Sequence, residues 1–236
     1  MARQPRFELA GQSQHIVQRG NNQHLIFNSD RDCRFYLDKL FEKSIQHRLL
    51  IHAYVLMPNH THLLVTPLTN KSISKVFQSL GRCYAQYYNH IHKRTGTLFE
   101  GRYRASLVET ETYLLDCYRY IELNPVRSDI VKHPSNYLWS SYHQNALGTH
   151  DKIITPHKKY LSLANDNLTH EEAYKDLFKY ELALEKINEI TDATNKSWVL
   201  GSKEFKKSIE LKLNRRTSPK PRGGDRKSTN WNLNRV

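Results

Sequence analysis

Cysteine is scarce: Cys33, Cys83 and Cys117 are the three in 236 residues, they stand far apart, and none forms a CxxC pair. That excludes a disulfide framework and a thiolate zinc knot as the source of stability, and the thiols read as small buried apolar groups on helical stretches. Long apolar runs are missing as well. No window approaches the roughly 20 apolar residues a membrane-spanning helix needs, and no apolar segment of a secretory signal follows Met1 to Arg6. A bacterial cytoplasmic location, with no membrane partner, is the expectation. Internal repeats and long low-complexity tracts are also absent. Acidic residues are few, with 23 Asp and Glu facing 36 Lys and Arg for a formal charge of +13. An excess of that size attracts polyanions whatever the fold, which makes nucleic acid the default partner. Charge gives affinity without choice of sequence, so the chemistry has to come from particular residues.

The patterning that is present builds one domain and an extension. Gln14 to Gln18 suits a short strand, broken by Arg19-Gly20-Asn21-Asn22. Ser29 or Asp30 can cap a helix whose apolar residues Cys33, Tyr36, Leu37, Leu40 and Phe41 recur with helical spacing. Leu50 to Met57 and His60 to Thr66 read as strands joined by the tight link Pro58-Asn59. The clearest helix runs from Ile73 to Ile91 and is ended by Gly96. Leu98 to Glu109 reads as one or two extended segments, and Glu111 to Leu123 as a helix with a stripe of Leu114, Cys117, Tyr118 and Ile121. Strand, helix, hairpin, helix, strand, helix is the order of an α+β fold, a ferredoxin-like antiparallel sheet with packed helices. The domain should occupy 1–148, closing near Gly148. A helical extension (His170 to Glu185, Lys203 to Leu213) should fill 149–214, and 215–236 should be a flexible basic tail. Between Ser202 and Lys227 ten Lys or Arg face Glu204, Glu210 and Asp225.

The stretch Met57-Pro58-Asn59-His60-Thr61-His62-Leu63-Leu64-Val65 concentrates the chemistry. Strand side chains alternate faces, so His60 and His62 project from one side of the sheet. Such a pair is half of a metal site or, more often when it stands alone, two hydrogen-bonded imidazoles of ordinary structure. Tyr120 and Asn124 are four residues apart, one helical turn, and flank the buried stripe of their helix. Pro125 disfavours helical geometry at Asn124, which places the amide at an exposed helix end. Two imidazoles, an amide oxygen and a phenol suit attack by tyrosine on a phosphodiester with a divalent cation beside it. A covalent phosphotyrosine would conserve the bond for rejoining.

Met57 to Val65 resembles the HUH motif of single-tyrosine HUH endonucleases, and Tyr120-Ile-Glu-Leu-Asn-Pro-Val-Arg127 resembles their tyrosine helix. The chain is most similar to the REP-associated tyrosine transposases, through further stretches at His15 to Asn22, Glu100 to Glu109, Tyr137 to Tyr142 and Leu200 to Phe205. The resemblance implies the HUH endonuclease fold, His60, His62 and Asn124 as ligands of Mg²⁺ or Mn²⁺, and Tyr120 as the nucleophile that becomes linked to the 5′ phosphate. It implies single-stranded DNA with palindromic hairpins as partner and a nucleoid-associated location. Arg19, Arg102, Arg104, Arg119 and Arg127 are candidate phosphate contacts, and Tyr103 a platform for an unpaired base. Thr61 departs from the family pattern, which has a bulky hydrophobic residue there; it should point away from the histidines. The expected oligomeric state is a monomer, with a dimer as the alternative. A hairpin-binding regulator without catalysis, and a nuclease that hydrolyses with water, are the rival readings.

Overall fold

In the computed structural model, residues 6–219 are described. Strands β1 (Gln14–Arg19), β2 (Leu49–Met57), β3 (His60–Pro67) and β4 (Arg104–Leu107) form one antiparallel sheet in the order β2-β3-β1-β4. Helices α1 (Asp30–Gln46) and α2 (Ser72–Ile91) cover one face, and α3 (Thr110–Glu122) lies on the other. This is the ferredoxin-like plan, with β1 between β3 and β4.

Local chemistry explains the elements. Ser29 caps α1 through a capping box, its hydroxyl accepting from the Asp32 N–H while the Asp32 carboxylate accepts from the Ser29 N–H. Asp32 is buried and also takes hydrogen bonds from Tyr87 and His92 of the α2 region, which ties the two helices together. Two residues, Pro58 and Asn59, suffice to turn β2 into β3, and the Met57–His60 pairing starts at once. Along β3, Thr61, Leu63 and Val65 face the α1/α2 cluster, with Leu63 and Val65 fully buried there, while Leu64 joins the α3 cluster on the opposite face. Each such side chain removed from water contributes roughly 1.5–3 kcal/mol.

Past α3 come α4 (Asn124–Arg127), α5 (Tyr142–Leu147), α6 (Lys158–Leu161), α7 (His170–Asp176), α8 (Leu184–Lys196) and α9 (Lys203–Leu213). The helices after Gly148 share the core of the sheet's second face: Tyr160, Tyr174, Leu182, Ile190 and Ala193 pack in one cluster with Val55, Leu64, Tyr118 and Ile121. Backbone joins them too, through Thr155 N–H to the Ile51 carbonyl and Leu200 N–H to the Leu107 carbonyl.

Three expectations need revision. The extended reading of Leu98 to Glu109 shrinks to β4, four residues long. The single helix expected from His170 to Glu185 is α7, a 3-10 turn at Leu177–Lys179 and a non-helical link, after which α8 begins at Leu184. Most of the basic tail lies outside the described residues. Its first residues are packed: Arg215 stacks over the Phe7 ring at 4.1 Å, and buried Thr217 donates to Glu210 through its N–H and hydroxyl.

Candidate active site

Period-two alternation places His60 and His62 on the α3 face of β3, with their ring centroids 5.0 Å apart. Antiparallel pairing sets Arg19 opposite His60 and Val17 opposite His62. His15, two residues before Val17, reaches across on the same face, and its Nε2 lies 2.9 Å from His62 Nδ1. Tyr120 comes from α3, with its ring 5.8 Å from that of His62 and 5.6 Å from that of His15.

Each histidine of the pair has its Nδ1 engaged. His60 Nδ1 is 2.6 Å from Asn59 Oδ1, an acceptor, so Nδ1 carries the proton. Neither Nε2 makes a hydrogen bond among the described residues. A ring fixed at Nδ1 with Nε2 left open is the arrangement of metal-ligating histidines held by an outer partner. Burial keeps the rings neutral. Desolvation, then the Arg19 charge, lowers His60 to about 4. His62 falls well below the usual histidine value through burial first, then His15, His60 and the arginines. Burial and Arg127 lower His15 to about 3.

Tyr120 is 7% exposed, and its hydroxyl lies 3.1 Å from Thr191 Oγ1 of α8. The Thr191 hydroxyl donates its one proton to the Ile187 carbonyl at 2.7 Å, so it accepts from the phenol. The Arg127 guanidinium covers the Tyr120 ring at 4.1 Å from its centroid. Pro125 does not take Asn124 out of helical geometry as expected. The helix breaks at Leu123 and resumes as α4, where Pro125 occupies the first turn and its missing N–H costs nothing. Asn124 consequently sits buried at 7% exposure instead of at an exposed end. Its Oδ1 accepts from the Ser128 hydroxyl at 3.5 Å, and no hydrogen bond joins it to either histidine among the described residues.

The cationic candidates divide. Arg19, Arg102 and Arg104 line a cleft beside β4 together with Asn195, and Arg104 donates to the Asn195 Oδ1 at 3.0 Å. A neighbouring cleft of about 320 Å³ is bordered by Arg6, Arg102, Arg104 and Lys196. Arg127 belongs to the tyrosine, as described. Arg119 is buried and donates to the Tyr180 carbonyl, so it is no surface cation. Tyr103 is also corrected: it is 7% exposed, with Phe77 packed on it and Arg6 stacked 3.6 Å from its centroid, so its ring is not an open platform. Sequence reasoning missed His15 and Thr191. Only a histidine inside the apolar strand Gln14 to Gln18 hinted at the first.

Among the described residues no group of three or more His, Cys, Asp or Glu side chains is arranged to hold a metal ion, and no helix is long and apolar enough to cross a membrane. The donor set that fits a cation is therefore the two open imidazole nitrogens, with oxygen donors completing the shell.

No curated protein matches the chain. Among solved structures, a REP-associated tyrosine transposase bound to a REP hairpin is similar at 19% identity and a TM-score of 0.50, covering 66% of this chain and 93% of that one. That likeness bears on the fold. A protein provisionally described as a transposase, from Deinococcus radiodurans R1, is similar at 21% identity and a TM-score of 0.36, over 52% of this chain and 95% of its own. A family model described as "Transposase IS200 like" matches residues 9–124, the span that holds β1, the histidine hairpin and the tyrosine helix. Over those residues, just under half of its 236, the chain is similar to the IS200-like transposase family.

Proposed function

We propose that this protein is a metal-dependent endonuclease and strand transferase for single-stranded DNA carrying REP-type palindromic hairpins, with Tyr120 as nucleophile. The observation that carries the reading is the meeting of His60, His62 and Tyr120 on one sheet face, each ring held from behind and both Nε2 atoms open. Likeness to the IS200-like transposases over residues 9–124 suggests the reaction class. The hairpin is named for the solved relative, and its transfer to this chain is part of the proposal.

In the proposed step the Tyr120 oxygen forms a bond to phosphorus and the bond from phosphorus to the 3′ oxygen breaks. The phenol releases to water the proton it directs at Thr191, and the departing 3′ oxygen takes one from water and ends as a hydroxyl, so protons balance. The 5′ phosphate stays on Tyr120. Mg²⁺ or Mn²⁺ on His60 and His62, with the Asn124 amide oxygen, water and phosphate oxygens as further donors, would stabilise charge on the non-bridging oxygens. Arg127 holds the phenol ring in place, while Arg19, Arg102 and Arg104 would meet the phosphate backbone near the histidines.

The test is incubation with a labelled single-stranded hairpin and Mg²⁺ or Mn²⁺. A protein–DNA adduct that survives denaturation is expected from the wild type and none from Tyr120→Phe. His60→Ala should lose cleavage and keep hairpin binding, because phosphate contacts elsewhere supply most of the affinity. Cleavage without adduct would establish hydrolysis instead, and tight binding without cleavage a regulator.

A further inference from the structure

Behind His62 runs a buried chain of polar groups that reaches out of the family segment into the extension. His62 Nδ1 lies 2.9 Å from His15 Nε2, His15 Nδ1 lies 2.8 Å from Thr194 Oγ1, and Thr194 Oγ1 lies 3.2 Å from Ser106 Oγ. All four residues are at most 6% exposed. Thr194 belongs to α8, and Thr191, the acceptor of the Tyr120 hydroxyl, sits three residues earlier on the same helix face. One face of α8 thus holds both the nucleophile and the support of the histidine.

We propose that His15, fixed by Thr194, is the positioning residue that sets which nitrogen of His62 is open to a cation; the inference rests on the metal-dependent reading above. The argument is one of proton counting. In a neutral imidazole one nitrogen donates and the other accepts. For His62 Nε2 to bear a free lone pair, Nδ1 must carry the proton and His15 Nε2 must accept it. His15 Nδ1 then carries its own proton, which requires an acceptor, and Thr194 Oγ1 is there. The Thr194 hydroxyl in turn points its proton to Ser106 Oγ. Every donor from His62 Nδ1 through His15 Nδ1 to the Thr194 hydroxyl has a partner in that direction. Run the other way, the chain places a proton on His62 Nε2 and closes it to metal. A cation at Nε2 therefore draws the whole chain into the first direction, and loss of any member weakens that state. The carboxylate or carbonyl that more often backs a ligating histidine is replaced here by a second imidazole.

The test is Mn²⁺ binding to the purified full chain without DNA, followed through the signal of free Mn²⁺, with nitrogen chemical shifts of the histidine rings recorded on the metal-free protein. His15→Leu is expected to weaken Mn²⁺ binding about 10- to 100-fold, the scale for loss of an outer-shell partner. His15→Gln, which keeps an acceptor near the Nε2 position, should recover a large part of that loss. Thr194→Val, which leaves His15 itself intact, should weaken binding and shift the His62 ring toward a protonated Nε2, and Thr194→Ser should behave as wild type. Unchanged Mn²⁺ affinity in folded His15→Leu and in Thr194→Val would overturn the inference while leaving the metal reading standing. A wild type that binds no Mn²⁺ would overturn both.

Discussion

Between the two histidines, Thr61 has its side chain on the other side of the sheet, fully buried on the face where α1 packs. Its hydroxyl and that of Tyr36 both lack a hydrogen bond among the described residues. A buried hydroxyl with no partner costs on the order of 1–3 kcal/mol. Thr61→Val keeps the shape and the β-branching and removes that cost. It should raise stability by about 1 kcal/mol in denaturant titration while Mn²⁺ affinity stays as it was. A loss of metal binding would mean that the residue acts through the strand on its neighbours. The departure from a bulky hydrophobic residue is thus a matter of packing, and the alternation of β3 made that legible in the sequence. What alternation could not reveal is which residue stands behind His62. His15 is 47 positions away, and only the pairing of β1 with β3 brings them together.

At the scale of elements, Glu122 shows how α3 is anchored. It is fully buried, and its carboxyl receives hydrogen bonds from Ser141 at 2.6 Å, Asn145 at 2.8 Å and Tyr174 at 2.6 Å, linking α3 to α5 and α7. Those three donors favour the carboxylate, but burial outweighs them and pushes the carboxyl up to about 7. A carboxyl raised in the folded state contributes stability that is present below its unfolded value, near 4.3, and lost as pH rises through 7. Glu122→Gln removes that loss. The melting temperature of the variant relative to wild type should therefore increase from pH 5 to pH 8, by the equivalent of about 3 kcal/mol at most. A pH-independent difference would show that the carboxyl is not shifted. Elements with strong punctuation or period were readable: the capped α1, the Pro58-Asn59 hairpin and α2 all stand close to where their residues place them. The break between α7 and α8 was not, because no Gly or Pro lies between Leu177 and Ala183 to mark it. Nor was the inward turn of Arg119 and Tyr103 legible, since a cation and a phenol read as surface groups until tertiary partners bury them.

Across the whole molecule, buried histidines set the response to acid. His15 lowered to about 3, His52 lowered to about 4 and His62 well below the usual value all resist protonation in the folded state, with desolvation as the largest cause. A depressed histidine contributes stability that is present above pH 6.5 and lost as pH falls toward its folded value. Between pH 6.5 and 5 that is up to about 2 kcal/mol each for His15 and His52. Glu122 opposes them in the same range, and the three histidines outnumber it. Thermal unfolding should therefore occur at lower temperature at pH 5 than at pH 7, and a flat profile would refute this account. The shared core on the second face of the sheet has a consequence for descent. Tyr118 of α3 packs its ring against Tyr160 and Tyr174, with centroids 5.9 and 5.8 Å away. A gene exchange with a crossover near codon 148 would part these rings, and the recombinant would bring together aromatic surfaces shaped for different partners. Substitutions in this core on one side of residue 148 are expected to be answered by substitutions on the other.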